Sequence, residues 1–393
     1  MDGRRITELS IRFNEKQTVY RPGDTVSGVV EVHLRDCVRC DSVAVQFCGS
    51  ARIFWTESDK KGRTSKFENK KVYYDHRQTV WTYIRPAMPQ KRGFQHQRRP
   101  SWKDKPFLDM GTHEWPFSFA LPPDAPTSFN AATGFIDHFL NVQLLVEGQV
   151  QHSKKEYYSV LRPMDLAALP GLTSARTESV QAPRSFRWLR TPAESAELIV
   201  SVPKTGFVPG EPVPLDVTVK HLPQRHRGVL LVSLQQHVTC YGEQSHGGFK
   251  RATSEVKKVV SELAGEEKEE KENGLIVCES ELVIPPVVPT FAEAGIMEAS
   301  YSLSVEVRLK GKPPLLALAI PITIGTTPVD AHGELRRRSP VPPADQNGNL
   351  VEPMYEECVM TRKHSCAVDA RRSNLPRYPV FHFATNNSSG LSD

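Results

Sequence analysis

The residues best suited to chemistry are few and do not assemble into a site. Cys37-Val38-Arg39-Cys40 has the spacing of one half of a zinc site, and structural zinc takes four ligands, commonly as two paired sets. There is no second C-x2-C, and the nearest extra candidates, His33 and Cys48, fall on predicted strands. The reading is a loop with two free thiols and no metal. The thirteen histidines are scattered, and there is no G-x-S-x-G elbow, G-x-x-x-x-G-K-[ST] loop or H-E-x-x-H run. QSHGGFK (244–250) is glycine-rich, but it lies among strands with no helix after it, so it is not read as a phosphate cradle. No catalytic residue, no cofactor and no enzymatic activity are expected.

Charge carries more information. The net charge is +5. Residues 51–106 alone hold fifteen Lys/Arg against five Asp/Glu, so the rest of the chain is about −5. Lys60, Lys61, Arg63, Lys66, Lys70 and Lys71 flank a predicted hairpin, FWTESDKKGRTSKFENKKVYY. Lys91, Arg92, Arg98, Arg99, Lys103 and Lys105 follow, interleaved with Phe94 and Trp102. Such a cluster is either a solvated loop face or a contact for anionic lipid or an acidic cargo tail, with Lys60, Lys61, Lys91, Arg92, Arg98 and Arg99 as the candidates. Interleaved aromatics can stack bases, but nothing else supports nucleic acid and none is expected as a partner. EEKEEKE (266–272) reads as a solvated hairpin loop.

Composition bounds the class. The chain has 393 residues, 39% of them hydrophobic, with 31 prolines. That length suggests about two domains. No stretch approaches the roughly 20 consecutive apolar residues of a membrane-spanning helix. MDGRRITELSIRF has no apolar core, so no signal peptide is expected. Seven cysteines, an odd number, suggest reduced thiols and an intracellular home. Asn386 and Asn387 begin N-x-S triplets that should then stay unmodified.

The elements that position these residues show period two. In VSGVVEVHL, Val26, Val30, Val32 and Leu34 share one face; in YSLSVEVRL, Tyr301, Leu303, Val305, Val307 and Leu309 do. LNVQLLVE (140–147), VPLDVTVK (213–220) and QTVWTYI (78–84) also read as strands. Short strands separated by Pro, Gly and charged residues predict an all-β sandwich architecture.

Three landmarks then recur in the same order. YRPGD (20–24) matches FVPGE (207–211), LPPDAPTSF (121–129) matches IPPVVPTF (284–291), and GFIDHFLNVQLLVEG (134–148) matches GIMEASYSLSVEVRLKG (295–311). The pattern indicates two copies of one fold. The first two landmarks are about 24 residues further apart in copy one, and the basic stretch 85–106 is the right size to be an insertion there. Pro22 and Pro209 fix φ, and Gly23 and Gly210 can supply a positive φ, so each phrase predicts a tight turn. LPP and IPP cannot sit in a central strand, because proline lacks the ladder donor, and read as crossovers.

With these motifs in place the chain resembles the α-arrestins, the arrestin-domain-containing proteins. The resemblance rests on PGDTVSG, GSARIFWTES, HEWPFSFALPPDAPTSF and YSVLRPMDLAALP in copy one, and on KTGFVPGEPVPL, LVIPPVVPTF and IPITIGTTPV in copy two. It covers roughly residues 5–330. It implies two arrestin-like (immunoglobulin-like) β-sandwich domains in tandem, at 5–168 and 194–327, joined by a short linker. A stretch rich in Pro, Ser, Thr and Arg without alternation places that linker at 169–193, and the polar, Pro-rich sequence of 328–393, too poor in apolar residues to bury a core, reads as a largely disordered tail. It also implies a cytoplasmic adaptor, recruited to plasma membrane and endosomes. Such an adaptor binds cytosolic parts of membrane receptors or transporters and recruits a WW-domain HECT-type ubiquitin ligase through Pro-Tyr motifs.

The tail departs from the family's usual P-P-x-Y. A proline pair enters the aromatic groove of a WW domain as polyproline II, with the Tyr in a neighbouring pocket. Here VPPAD (341–345) lacks the Tyr. EPMYEE (352–357) has Pro353 and Tyr355 but Glu352 for the first proline. LPRY (375–378) has Leu375, Pro376 and Tyr378, with an apolar residue in that place. LPRY ranks first and EPMY second as WW ligands. Lying 23 positions apart, they could engage tandem WW domains, a linkage that can raise avidity by roughly 10²–10⁴-fold. The alternative is a body that binds cargo or anionic membrane without any ligase.

Overall fold

The computed structural model describes residues 6–14, 19–84, 106–182, 196–221, 228–244, 251–264, 268–270, 275–309, 313–329, 351–358 and 375–383, and these are built almost wholly of β-strands. The chain divides into two compact units. One takes residues 1–52, 70–128 and 135–162, the other residues 53–69, 129–134 and 163–393.

In the first unit, Ile6–Phe13 and Gly111–Ala120 pair antiparallel with either side of Thr25–Leu34. Alternation in Thr25–Leu34 buries Val26, Val30, Val32 and Leu34. The second sheet runs in the order Thr64–Thr82, Ser42–Ser58, Gly134–Val146, Gln149–Val160, Val19–Tyr20. Its inward residues include Val43, Val45, Phe47, Leu140, Val142 and Leu144. Aliphatic side chains from both sheets form one core with Tyr20, Phe117 and Tyr158, the arrangement expected when two sheets each bury one face.

The second unit repeats the plan. Arg176–Gln181, Glu197–Val202, Pro212–Lys220, Leu275–Val283 and Lys268–Glu270 form one sheet in that order. Gly206–Phe207, Pro314–Ile324, Met297–Leu309 and Gly228–Gln244 are successive neighbours in the other, and Arg251–Ala264 pairs with Gly228–Gln244. Leu198, Val200, Val213, Leu215, Val217, Val232, Leu234, Leu303, Val305 and Ile320 are all essentially inaccessible to solvent.

The internal repeat holds down to single hydrogen bonds. Val19–Tyr20 pairs parallel with Ser159 and Val160, and Gly206–Phe207 pairs parallel with Thr323 and Ile324. The Gly23 N–H donates to the Leu121 carbonyl, and the Gly210 N–H to that of Ile284. In return the Leu121 N–H donates to the Asp24 carbonyl, and the Ile284 N–H to that of Glu211. Both glycines have positive φ, 90° and 87°, which a Cβ would oppose. The proline-rich stretches are therefore crossovers pinned to the Pro-Gly turns. The Ser128 hydroxyl accepts from the Val160 N–H, and the Thr290 hydroxyl from the Ile324 N–H.

Buried carbonyls in these crossovers receive different donors. His138 Nε2 donates to the Pro126 carbonyl at 2.9 Å, while Tyr301 donates its hydroxyl to the Val288 carbonyl at 2.6 Å. That bond leaves His138 Nδ1 to accept from the Tyr74 hydroxyl at 2.8 Å, and the Tyr74 oxygen lies 3.0 Å from that of Tyr158. Complete burial pushes the His138 pKa down to about 4, so the imidazole is neutral.

Two local expectations need correction. Within the proposed linker 169–193, Arg176–Gln181 is a strand pairing antiparallel with Glu197–Val202. Within the proposed loop EEKEEKE, Lys268–Glu270 pairs with Leu275–Val283. Both lie at the edge of their sheet, where apolar alternation is not required. The basic insertion lies outside the described residues, apart from its last position, as do residues 245–250 of the glycine-rich stretch.

Candidate functional site

Two short tail segments fold together. Met354–Glu357 and Arg377–Val380 pair antiparallel, with Tyr355 opposite Pro379 and Glu356 opposite Tyr378. The Cys358 N–H extends the ladder by donating to the Pro376 carbonyl at 3.1 Å. The sequence alternates poorly here, but Tyr378, Pro379, Val380 and Phe381 are consecutive buried residues. An expectation of general disorder thus does not describe these two segments; residues 330–350, 359–374 and 384–393 of the tail are outside the described residues.

The ribbon is anchored on the second unit through Phe381. Its ring packs in a cluster with Leu166, Val208 and Val329, flanked by Leu172 and Phe383. Its N–H donates to the Pro209 carbonyl at 2.9 Å. Its own carbonyl oxygen would stand only 1.9 Å from a Cβ on Gly210, so the glycine admits the ribbon backbone as well as forming the turn. Burying the phenyl ring stabilises this contact by roughly 2 kcal/mol.

Beneath the ribbon lies a buried ion pair. Lys204 Nζ is 2.5 Å from Glu211 Oε1, and both side chains are 1% exposed. Lys204 also donates to the Val329 carbonyl and lies over the Phe207 ring. Glu211 Oε2 accepts from the Val208 N–H at 3.0 Å, which closes the turn from within. Sequence reading missed this pair. The acid at the end of each repeated phrase was visible, but nothing in KTGFVPGE marks Lys204 as buried.

The predicted WW ligands are placed unequally. Tyr378 is 1% exposed, and burial, with Cys358 and Tyr301 as neighbouring influences, raises its pKa far above the ordinary phenol range. Leu375, Pro376, Pro353 and Tyr355 are half-buried. The motifs are distant in sequence but share the ribbon, so the linear spacing between them does not measure their separation.

Of the six basic candidates, Lys60 and Lys61 are among the described residues. Lys60 and Lys61 are exposed on the hairpin turn between Ser42–Ser58 and Thr64–Thr82. Asp59 organises that turn by accepting from the N–H groups of Lys61 and Arg63 and from Arg63 Nε at 2.9 Å. Trp55 and Phe67 stack beneath it, with centroids 5.1 Å apart. Lys91, Arg92, Arg98 and Arg99 are outside the described residues. Of the C-x2-C pair, Cys37 is half-buried, and Cys40 is buried with its pKa pushed up to about 11, which keeps the thiol protonated. No group of three or more His, Cys, Asp or Glu able to hold a metal occurs among the described residues.

Tandem sandwiches with matched Pro-Gly turns define an arrestin-type body, and comparison with known proteins agrees. The family model of the arrestin (or S-antigen) N-terminal domain matches residues 9–167, and that of the C-terminal domain matches residues 193–329. The chain is 23% identical over 325 residues to arrestin domain-containing protein 17 of Caenorhabditis elegans, covering 82% of this chain and 71% of that one. It is 25% identical over 343 residues to arrestin domain-containing protein 4 of Mus musculus, covering 86% and 75%. With arrestin domain-containing protein 1 of Homo sapiens it shares 23% over 330 residues, covering 83% and 66%. The chain belongs to the arrestin-domain-containing family, whose role is that of adaptors in trafficking.

Proposed function

We propose that this protein is a non-catalytic cytoplasmic adaptor linking membrane-protein cargo to a WW-domain HECT-type ubiquitin ligase. The arrestin-type body engages cytosolic parts of receptors or transporters, and the tail supplies the ligase, so that cargo is ubiquitinated, internalised and sorted at endosomes. The observation that supports this most is the terminal ribbon, which carries both Pro-x-Tyr sequences on an arrestin body. The exposed Lys60 and Lys61 favour recruitment to anionic membrane. Capture of a tandem WW fragment by the full chain tests the reading. Tyr355→Ala with Tyr378→Ala should reduce capture at least tenfold, whereas unchanged capture rejects the tail mechanism.

A second reading is favoured by the burial of Tyr378. In it the phenol is only an anchor for the tail, and the protein is a ligase-independent transport scaffold. Cargo co-precipitation and trafficking would then persist when WW-domain ligases are removed from the cell.

A further inference from the structure

We propose that the terminal ribbon is an autoinhibitory latch that withholds the LPRY motif until Phe381 leaves the Pro209-Gly210 turn. The inference rests on the reading of LPRY as a WW ligand. A WW domain takes its peptide as polyproline II, with the tyrosine presented to a pocket and no strand partner on the backbone. The ribbon imposes the opposite state on both counts. Tyr378 is enclosed, and the Pro376 carbonyl is engaged by the Cys358 N–H. Tyr378 stands opposite Glu356 and Pro379 opposite Tyr355, so while the ribbon holds, each strand also blocks the motif on the other.

The anchor lies three residues beyond the tyrosine. Phe381 contributes a ring to the cluster with Leu166, Val208 and Val329 and an N–H to Pro209. A weakened anchor should therefore free the ligand without altering it. Apparent affinity equals intrinsic affinity reduced by the fraction of chains in the competent state. A latch open in about one chain in ten thus costs about tenfold in WW binding.

The test uses the full-length chain with a purified tandem WW fragment, comparing wild type, Phe381→Ala and Phe381→Ala with Tyr378→Ala. Affinity is measured by calorimetry. Latch opening is read separately as alkylation of Cys358, a thiol 2% exposed in the closed ribbon, by peptide mass spectrometry. The expected result is faster Cys358 labelling in Phe381→Ala, WW binding roughly tenfold tighter, and loss of that gain when Tyr378 is also removed. Faster labelling with measurable but unchanged WW affinity overturns the latch while leaving the adaptor reading intact. Faster labelling with no WW binding by any variant overturns both, because LPRY is then no ligand. If neither Phe381→Ala nor the more disruptive Val380→Asp speeds labelling, the anchor is misassigned and the proposal fails.

Discussion

The turn at residues 21–24 and the turn at residues 208–211 share a backbone but not an environment. In both, the acid's carboxylate accepts from the N–H three residues earlier: Arg21 to Asp24 at 2.7 Å and Val208 to Glu211 at 3.0 Å. In both, a backbone bond also runs from the acid's N–H to the carbonyl of that earlier residue. Yet Arg21, Gly23 and Asp24 are exposed, and no atom outside the turn approaches the place of a Gly23 Cβ. Around the second turn, residues 202–209 are all buried, Glu211 meets Lys204, and Phe381 covers Gly210. The shared bonds belong to the sandwich, and the additions in copy two are an ion pair buried within that sandwich and a tail segment packed over the turn.

The ion pair offers the largest effect with which to break this comparison. Glu211→Gln or Lys204→Met leaves one buried charge uncompensated and should cost about 3–5 kcal/mol, measured as a fall in urea stability of the second unit. Replacing both by methionine should recover most of that loss. A cost below about 1 kcal/mol for either single variant would mean that the pair is solvated and the two turns are energetically alike.

Acid titration distinguishes the copies next. His138 has a folded pKa of about 4, below the ordinary value near 6.5. Its contribution is therefore complete above pH 6.5 and is lost as pH falls toward 4, by about 3 kcal/mol in all. The corresponding carbonyl in copy two is served by Tyr301, which brings no such titration between pH 4 and 7. Urea midpoints followed across this range should show the first unit weakening on acidification, and His138→Gln should flatten its profile.

The two glycines sharpen the contrast at smaller scale. Gly23→Ala meets only the positive-φ penalty, about 1–2 kcal/mol. Gly210→Ala carries the same penalty and adds a collision with the Phe381 carbonyl, so it should also expose Cys358 to alkylation. The smallest effect is expected for Asp24→Ala, about 1 kcal/mol for a lost, exposed turn bond, seen as a slight shift in thermal midpoint.

How much of this was legible depended on what each residue must do. The repeated turns were readable because proline and glycine are used for φ, and φ survives in sequence. Core strands such as Thr25–Leu34 were readable because one face is buried and the other wet. Arg176–Gln181 was not, because every residue of that polar edge strand is exposed or half-buried and no apolar face forms. Lys204 was hidden because a charged residue is read as solvated unless its partner is known. Copy one has Gln17 at the matching position, so the repeat gave no warning. The tail motif Tyr378 was visible as a motif, but its burial was not. The apolar cluster of Tyr378, Val380, Phe381 and Phe383 is too short to outweigh the polar composition around it.

Hydrogen exchange at the Phe381 amide tests the central contrast most directly, since that N–H donates to Pro209 of the second turn. In the full-length wild-type chain, with the latch open in about one chain in ten, it should be protected about tenfold over an unstructured amide. That protection should disappear in Val380→Asp while the amides of Pro212–Lys220 stay protected. Exchange of the Phe381 amide at the unstructured rate in the wild type would contradict the account, because the second turn would then be as open as the first.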